Sequence, residues 1–153
     1  EADNERALLV SKSENSLDDL SVSTLATKDW KMADINAGIP TIYRENIEKF
    51  IPQMVNLDLI NGISFSKGCY TGQEIVARVQ HKGKVKQRMF HITTQHCNDE
   101  IRPGTPIFHG DSKVGTVIQS AQNMNQIDSL AVIGKDASTK DLSVEGMKII
   151  IKY

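Results

Sequence analysis

The sequence is poor in several things at once, and each shortage excludes a class of protein. Only two of its 153 residues are cysteine, Cys69 and Cys97, too few for a disulfide framework. They form no CxxC pair, and no Cys/His set has zinc-finger spacing, so no metal site is expected. No apolar run approaches the roughly 20 residues of a membrane span. The opening EADNERALLV lacks a basic stretch followed by an apolar core, so it does not read as a secretory signal. Neither sign of charge prevails: 18 Lys and Arg face 19 Asp and Glu, and the net charge of −1 singles out no partner. The phosphate-loop pattern GxxxxGK[ST], the dinucleotide pattern GxGxxG and the zinc-protease pattern HExxH are all absent. With 39% hydrophobic and 24% charged residues, the chain has an ordinary globular composition, enough for one good domain or two small ones.

What is present concentrates in residues 66–88, SKGCYTGQEIVARVQHKGKVKQR. Thr71 followed by Glu74 fits a capping box, in which hydroxyl and carboxylate each satisfy a free amide of the first helical turn. Ile75, Val76 and Val79 follow at helical spacing. The pattern predicts a helix from residue 72 to 80 or 81, with Gly83 as its terminator. Cys69 then stands just ahead of the N-cap. The helix dipole and Lys67 favour an anion there, so a thiol in that place is expected to ionise more easily than a free cysteine. The alternative is a small, buried, inert apolar residue.

Upstream, Asp29 is the expected N-cap of a helix over residues 30–37, stopped by Gly38 and Pro40. Trp30, the single tryptophan, reads as a core anchor on that helix. Residues 1–29 carry seven acids against three bases, with a short strand at 7–10 and a short helix at 16–20. Residues 44–49 suggest a surface loop or short helix, and the apolar residues of 56–65 suggest core.

Between residues 78 and 88, Arg78, Lys82, Lys84, Lys86 and Arg88 occur with no acid. The run is a solvated face or strand edge, an RNA-phosphate contact, or a seat for an anionic ligand tail. Without interleaved aromatics it makes no base-stacking platform. From residue 85 onward the pattern alternates. Strands are expected at 89–94, 106–109, 113–120, 129–133 and 147–152, with turns at Pro103-Gly104 and Gly110-Asp111, as in a small barrel or sandwich. Gly115 marks a bulge or a close backbone approach. His91, His96 and His109 are scattered and pair with no evident carboxylate.

KGCYTGQE, with FIPQMVNLDLINGISF before it and IVAR after it, resembles the signature of the YgfZ family. These are folate-binding proteins built like the aminomethyltransferase of the glycine cleavage system. The match runs closely over residues 30–88, taking in Trp30 and AGIP, and loosely beyond. The resemblance implies an α+β chain: the end of a ferredoxin-like domain plus connecting helices, then a small C-terminal antiparallel β-barrel. The expected divisions are 1–34 for the ferredoxin-like remnant, 35–83 for the motif-bearing segment and 84–153 for the barrel. Family members are about twice this long, so a further domain is expected ahead of Glu1.

It also implies a cytoplasmic accessory protein that supports iron–sulfur enzyme assembly or repair and tRNA thiolation. Its partners would be folate, iron–sulfur enzymes and, indirectly, tRNA. Cys69 would be the working thiol, with Lys67, Tyr70, Gln73 and Glu74 in support. Trp30 and Asn36 would border tetrahydrofolate. Asn36 stands where the aminomethyltransferase relatives carry a Glu, and an amide cannot shuttle a proton. A true folate-dependent aminomethyltransferase is therefore the lesser alternative. A barrel interaction module with a structural Cys69 is the third. The basic run would meet RNA or the glutamate tail of a folate.

Overall fold

The computed structural model describes residues 26–68, 70–95, 100–123 and 126–152. The strand and helix expected at 7–10 and 16–20 lie outside the described residues, as do Cys69, His96 and Cys97.

Alternation in the second half of the chain produces six strands: β1 Gln87–Gln95, β2 Pro106–His109, β3 Ser112–Gln122, β4 Gln126–Gly134, β5 Ser143–Val144 and β6 Met147–Ile151. They close an antiparallel barrel in the order β1-β4-β3-β2-β5-β6, with β6 returning to β1 through the pair Ile92↔Ile151. Closure removes the exposed strand edges that invite pairing with other chains. One row of residues fills the interior, among them Ile92, Ile107, Val117, Ile127, Ala131, Ile133 and Val144. The opposite row makes a second core outside the barrel wall, where Met89, Ile118, Ala121, Leu130 and Val132 meet Ile35 and Val55.

The outer core is closed by the segment before the barrel. The helix α1, Thr27–Asn36, lies on β3 and β4 and buries Ile35 completely. It begins three residues earlier than the sequence suggests. Asp29 is not the N-cap; its carboxylate reaches back to accept the Ala26 N–H at 3.2 Å. Gly38, at φ +66°, ends the helix as expected, with its N–H on Ile35 O and the Ile39 N–H on Asp34 O. The boundary drawn at 34/35 thus falls inside one helix, whose buried residue belongs to the barrel's outer core.

A bulge in β3 fastens the next stretch. Val117 pairs with Ala131 and Gln119 with Leu130, leaving Ile118 as the extra residue. Ile118 and Gln119 therefore both face outward. Ile118 enters the outer core. Gln119 grips residues 39–41, accepting the Thr41 N–H at 2.6 Å and donating to Ile39 O at 3.2 Å. The amide of Asn46, in a 3-10 turn over Arg44–Asn46, donates to Val117 O and Ile118 O. Of the two alternatives for residues 44–49, the short helix is the one that forms, and Asn46 within it is buried.

Candidate functional site

The motif-bearing segment leaves the 3-10 turn Pro52–Val55, passes through turns at residues 56–61 and enters α2, Gln73–Lys82. The helix lies where its apolar spacing puts it, but its start differs. Gly72 at φ +90° is the N-cap, and no side chain caps it. The Thr71–Glu74 capping box does not form. Instead the Gln73 carboxamide accepts the Tyr70 N–H at 3.2 Å, bracing the loop from inside the helix. Gly83 terminates α2 by close approach: a Cβ there would lie 2.8 Å from Val79 Cα.

The described residues of the loop before α2 are mostly exposed. Lys67, Gly68, Tyr70, Thr71 and Glu74 are all exposed, and Gln73 is half-buried. Lys67, Gly68 and Tyr70 share a cleft of about 360 Å³ with Pro52, Leu57, Gly62, Ile63 and Ser64. Cys69 itself is outside the described residues, so its predicted poise by Lys67 and the helix start is untouched by this geometry.

Two links hold α2 to the body. Val76 is its buried apolar residue, and Gln53 donates to Val76 O at 2.8 Å from a fully buried position. The Gln53 carbonyl in turn accepts from Arg88 Nη1 at 2.7 Å. Arg88 forms a two-pronged pair with Asp58, at 2.6 and 2.8 Å. The hydrogen bond from Arg88 holds the Asp58 carboxyl below its ordinary 3.8, against the upward push of burial. Arg88 thus has partners within the fold. It is the last residue of the basic run, and its guanidinium is engaged by Asp58 and the Gln53 carbonyl. Arg78, Lys84 and Lys86 are exposed; Lys82 closes α2.

Trp30 and Asn36 stand on α1. Trp30 is 50% exposed, so it is not the core anchor its spacing suggests; Ile35 takes that place. A half-exposed indole offers a face to a flat ring. Asn36 is exposed too. Six residues at 3.6 per turn place the two side chains about 120° apart around the helix. Leu59 and Ile60, expected in the core, are 66% and 40% exposed.

Sequence reasoning missed one ionic cluster. His91 Nε2 lies 2.7 Å from Asp128 Oδ1, and Lys152 Nζ donates to the same oxygen at 2.7 Å. Gln126 donates to the other oxygen at 2.8 Å. His91 does pair with a carboxylate, and both side chains are buried. The available signal was Asp128 itself, an acid inside the apolar strand QIDSLAVIG. Among the described residues, no group of three His, Cys, Asp or Glu is placed to hold a metal. Among the same described residues, no helix is long and apolar enough to cross a membrane.

No protein-family model matches the chain. Similarity to individual proteins is clear. The tRNA-modifying protein YgfZ of Pectobacterium carotovorum is 36% identical over 149 residues, which is 90% of this chain and 44% of that protein. The chain belongs to the YgfZ family. The tRNA-modifying protein YgfZ of Yersinia enterocolitica is 48% identical over 66 residues, 43% of this chain and 20% of that protein. That of Colwellia psychrerythraea is 43% identical over 76 residues. The chain spans less than half the length of these curated relatives. The barrel expected from the YgfZ resemblance fills the C-terminal half of the chain; a ferredoxin-like domain is not seen among the described residues.

Proposed function

We propose that this chain serves tRNA modification as part of a cytoplasmic accessory protein whose functional group is the Cys69 thiol, in support of iron–sulfur enzymes that thiolate tRNA. The observation that carries the reading is the display of KGCYTGQE. Its described residues form an exposed loop beside a cleft, and α2 behind it is tied to the barrel through Gln53 and Arg88. A loop kept only for packing would not leave Lys67, Gly68 and Tyr70 in solvent. The names of the relatives supply the tRNA connection.

Lys67 contributes positive charge that favours a thiolate two residues away in sequence. Gln73 fixes the Tyr70 backbone and so the far side of the loop. Glu74 lies in the first turn of α2, where the helix dipole favours an acid. Folate enters as a ligand of a larger assembly. Trp30 offers an indole face, but α1 does not bring Asn36 to the same side. The 153-residue chain alone is expected to bind tetrahydrofolate weakly or not at all, and tight binding by calorimetry would overturn that.

The test of the thiol is its alkylation rate against pH, followed by mass spectrometry with Cys97 as internal control. Cys69 is expected to react faster than Cys97 and to titrate below the free-thiol value of about 8.5. In cells, Cys69→Ala is expected to deplete thiolated nucleosides in total tRNA. An unshifted, slow Cys69 together with normal tRNA thiolation would sink the proposal.

A further inference from the structure

The mouth of the barrel carries a feature that neither packing nor the thiol loop uses. The ladder between β1 and β4 pairs Gln87 with Gly134 and continues one step further, with the Lys135 N–H donating to Lys86 O at 2.9 Å. Lys86 and Lys135 are therefore directly opposed across an antiparallel pair. Side chains so placed start about 5 Å apart, and like charges there destabilise the pair. Both residues are exposed, and among the described residues neither ammonium has a carboxylate partner. An arrangement that repels itself is relieved by an anion shared between the two.

A cleft of about 450 Å³ opens beside Lys135, lined by Asn56, Leu59, Arg88, Met89 and Phe90. That volume lies within the ~300–1,000 Å³ of ligand clefts, and barrel mouths are a frequent place for them. Arg88 is neutralised by Asp58, so the wall is a paired charge with apolar neighbours. Leu59 stands 66% exposed at the cleft. A cationic rim over an apolar shelf matches a phosphate joined to a flat, weakly polar ring. We infer that the barrel mouth binds a nucleotide unit of single-stranded RNA, with its phosphate between Lys86 and Lys135 and its base against the exposed Leu59. Lys84, two residues further out, meets the next phosphate. The inference rests on the tRNA reading above and locates where RNA is met. It moves the contact from the basic run as a whole to Lys84 and Lys86, adds Lys135, and gives Arg88 a positioning role.

The test uses the whole chain and a labelled, short oligouridylate, with binding read by fluorescence anisotropy over a salt series. Binding is expected to weaken as salt rises. Lys135→Glu and Lys86→Glu should each weaken it and make the log–log salt slope shallower by about 0.7, the loss of one single-strand phosphate contact. Leu59→Ala should weaken binding with the slope unchanged. Lys148→Glu, on an exposed lysine of β6, should change neither. Lys86→Glu turns a like-charge pair into an opposite-charge pair, so it should melt no lower than the parent, and its lost binding cannot be traced to unfolding. Curves for Lys86→Glu and Lys135→Glu that superimpose on the parent would overturn the inference. So would uridine monophosphate binding as tightly as the oligomer, since a free nucleotide would then be the ligand. If the oligomer binds as expected but Cys69→Ala leaves tRNA thiolation intact, the thiol reading fails while the RNA site stands.

Discussion

His91 shows how a single buried pair sets the acid response of the molecule. Burial disfavours the imidazolium and outweighs the hydrogen bond with Asp128, so His91 titrates below its ordinary 6.5. It stays neutral near pH 7, with Nε2–H donating to Asp128. For Asp128, burial alone would raise the carboxyl, but hydrogen bonds from Lys152, Gln126 and His91 prevail and hold it below 3.8. The unfolded chain takes up protons at His91 below about pH 6.5, where the folded chain resists them. That contribution to stability is complete above pH 6.5 and is lost as pH falls toward the folded value. A second loss begins below about pH 4, as Asp58 and Asp128 are protonated in the unfolded chain first. Urea midpoints measured from pH 7.5 to pH 3 should fall in two steps, and His91→Gln should abolish the upper step only. A single step near pH 4 in the parent would show that His91 does not titrate as its burial demands.

At the scale of elements, close backbone contact decides more than propensity does. Gly115 in β3 has no room for a side chain: a Cβ would lie 2.6 Å from Val132 O and 3.0 Å from Ile133 Cγ1. Next to it, Val114 is the extra residue where the β2–β3 register shifts. Gly115→Ala must push β3 away from β4, at a cost of about 1–3 kcal/mol. Gly110→Ala, whose Cβ would meet nothing within 4 Å but whose φ is +56°, should cost about 1 kcal/mol through strain alone. Chemical denaturation of the two variants measures the difference, and equal losses would mean that the β3–β4 contact gives way easily. The expectation of a bulge or close approach at Gly115 is met by both, at adjacent residues. The helix start of α2 went otherwise. Thr71 has the right residue type for an N-cap, but Gly72 takes the left-handed backbone that begins the helix, so the cap moves one residue on.

Across the whole molecule, α1 and the barrel share one outer core. Ile35 is fully buried in one cluster with Met89, Ile118, Leu130 and Val132, residues from three strands. Ile35→Ala should cost about 2–5 kcal/mol. Because helix and barrel meet there, near- and far-ultraviolet signals should still be lost in one coincident transition. Two separated transitions would mean that α1 is a peripheral unit.

The sequence by itself determined the barrel's strands, because period-2 alternation is a local signal. Residues 106–109 match β2 as expected, and the bounds of β1, β3, β4 and β6 move by one to three residues. β5 was not legible, since Ser143–Val144 is too short to show any period. The motif KGCYTGQE and the family it points to were equally local. Only the tertiary structure decided which charges are spent and which are offered. Arg88 and Asp58 are thirty residues apart, and His91 and Asp128 thirty-seven; strand register and the outer core bring them together. Lys135 joined Lys86 for the same reason, through a ladder that no spacing in the chain records. Pairing across a closed sheet depends on register, and register is fixed by the packing of the whole barrel, not by the residues on either side of a charge.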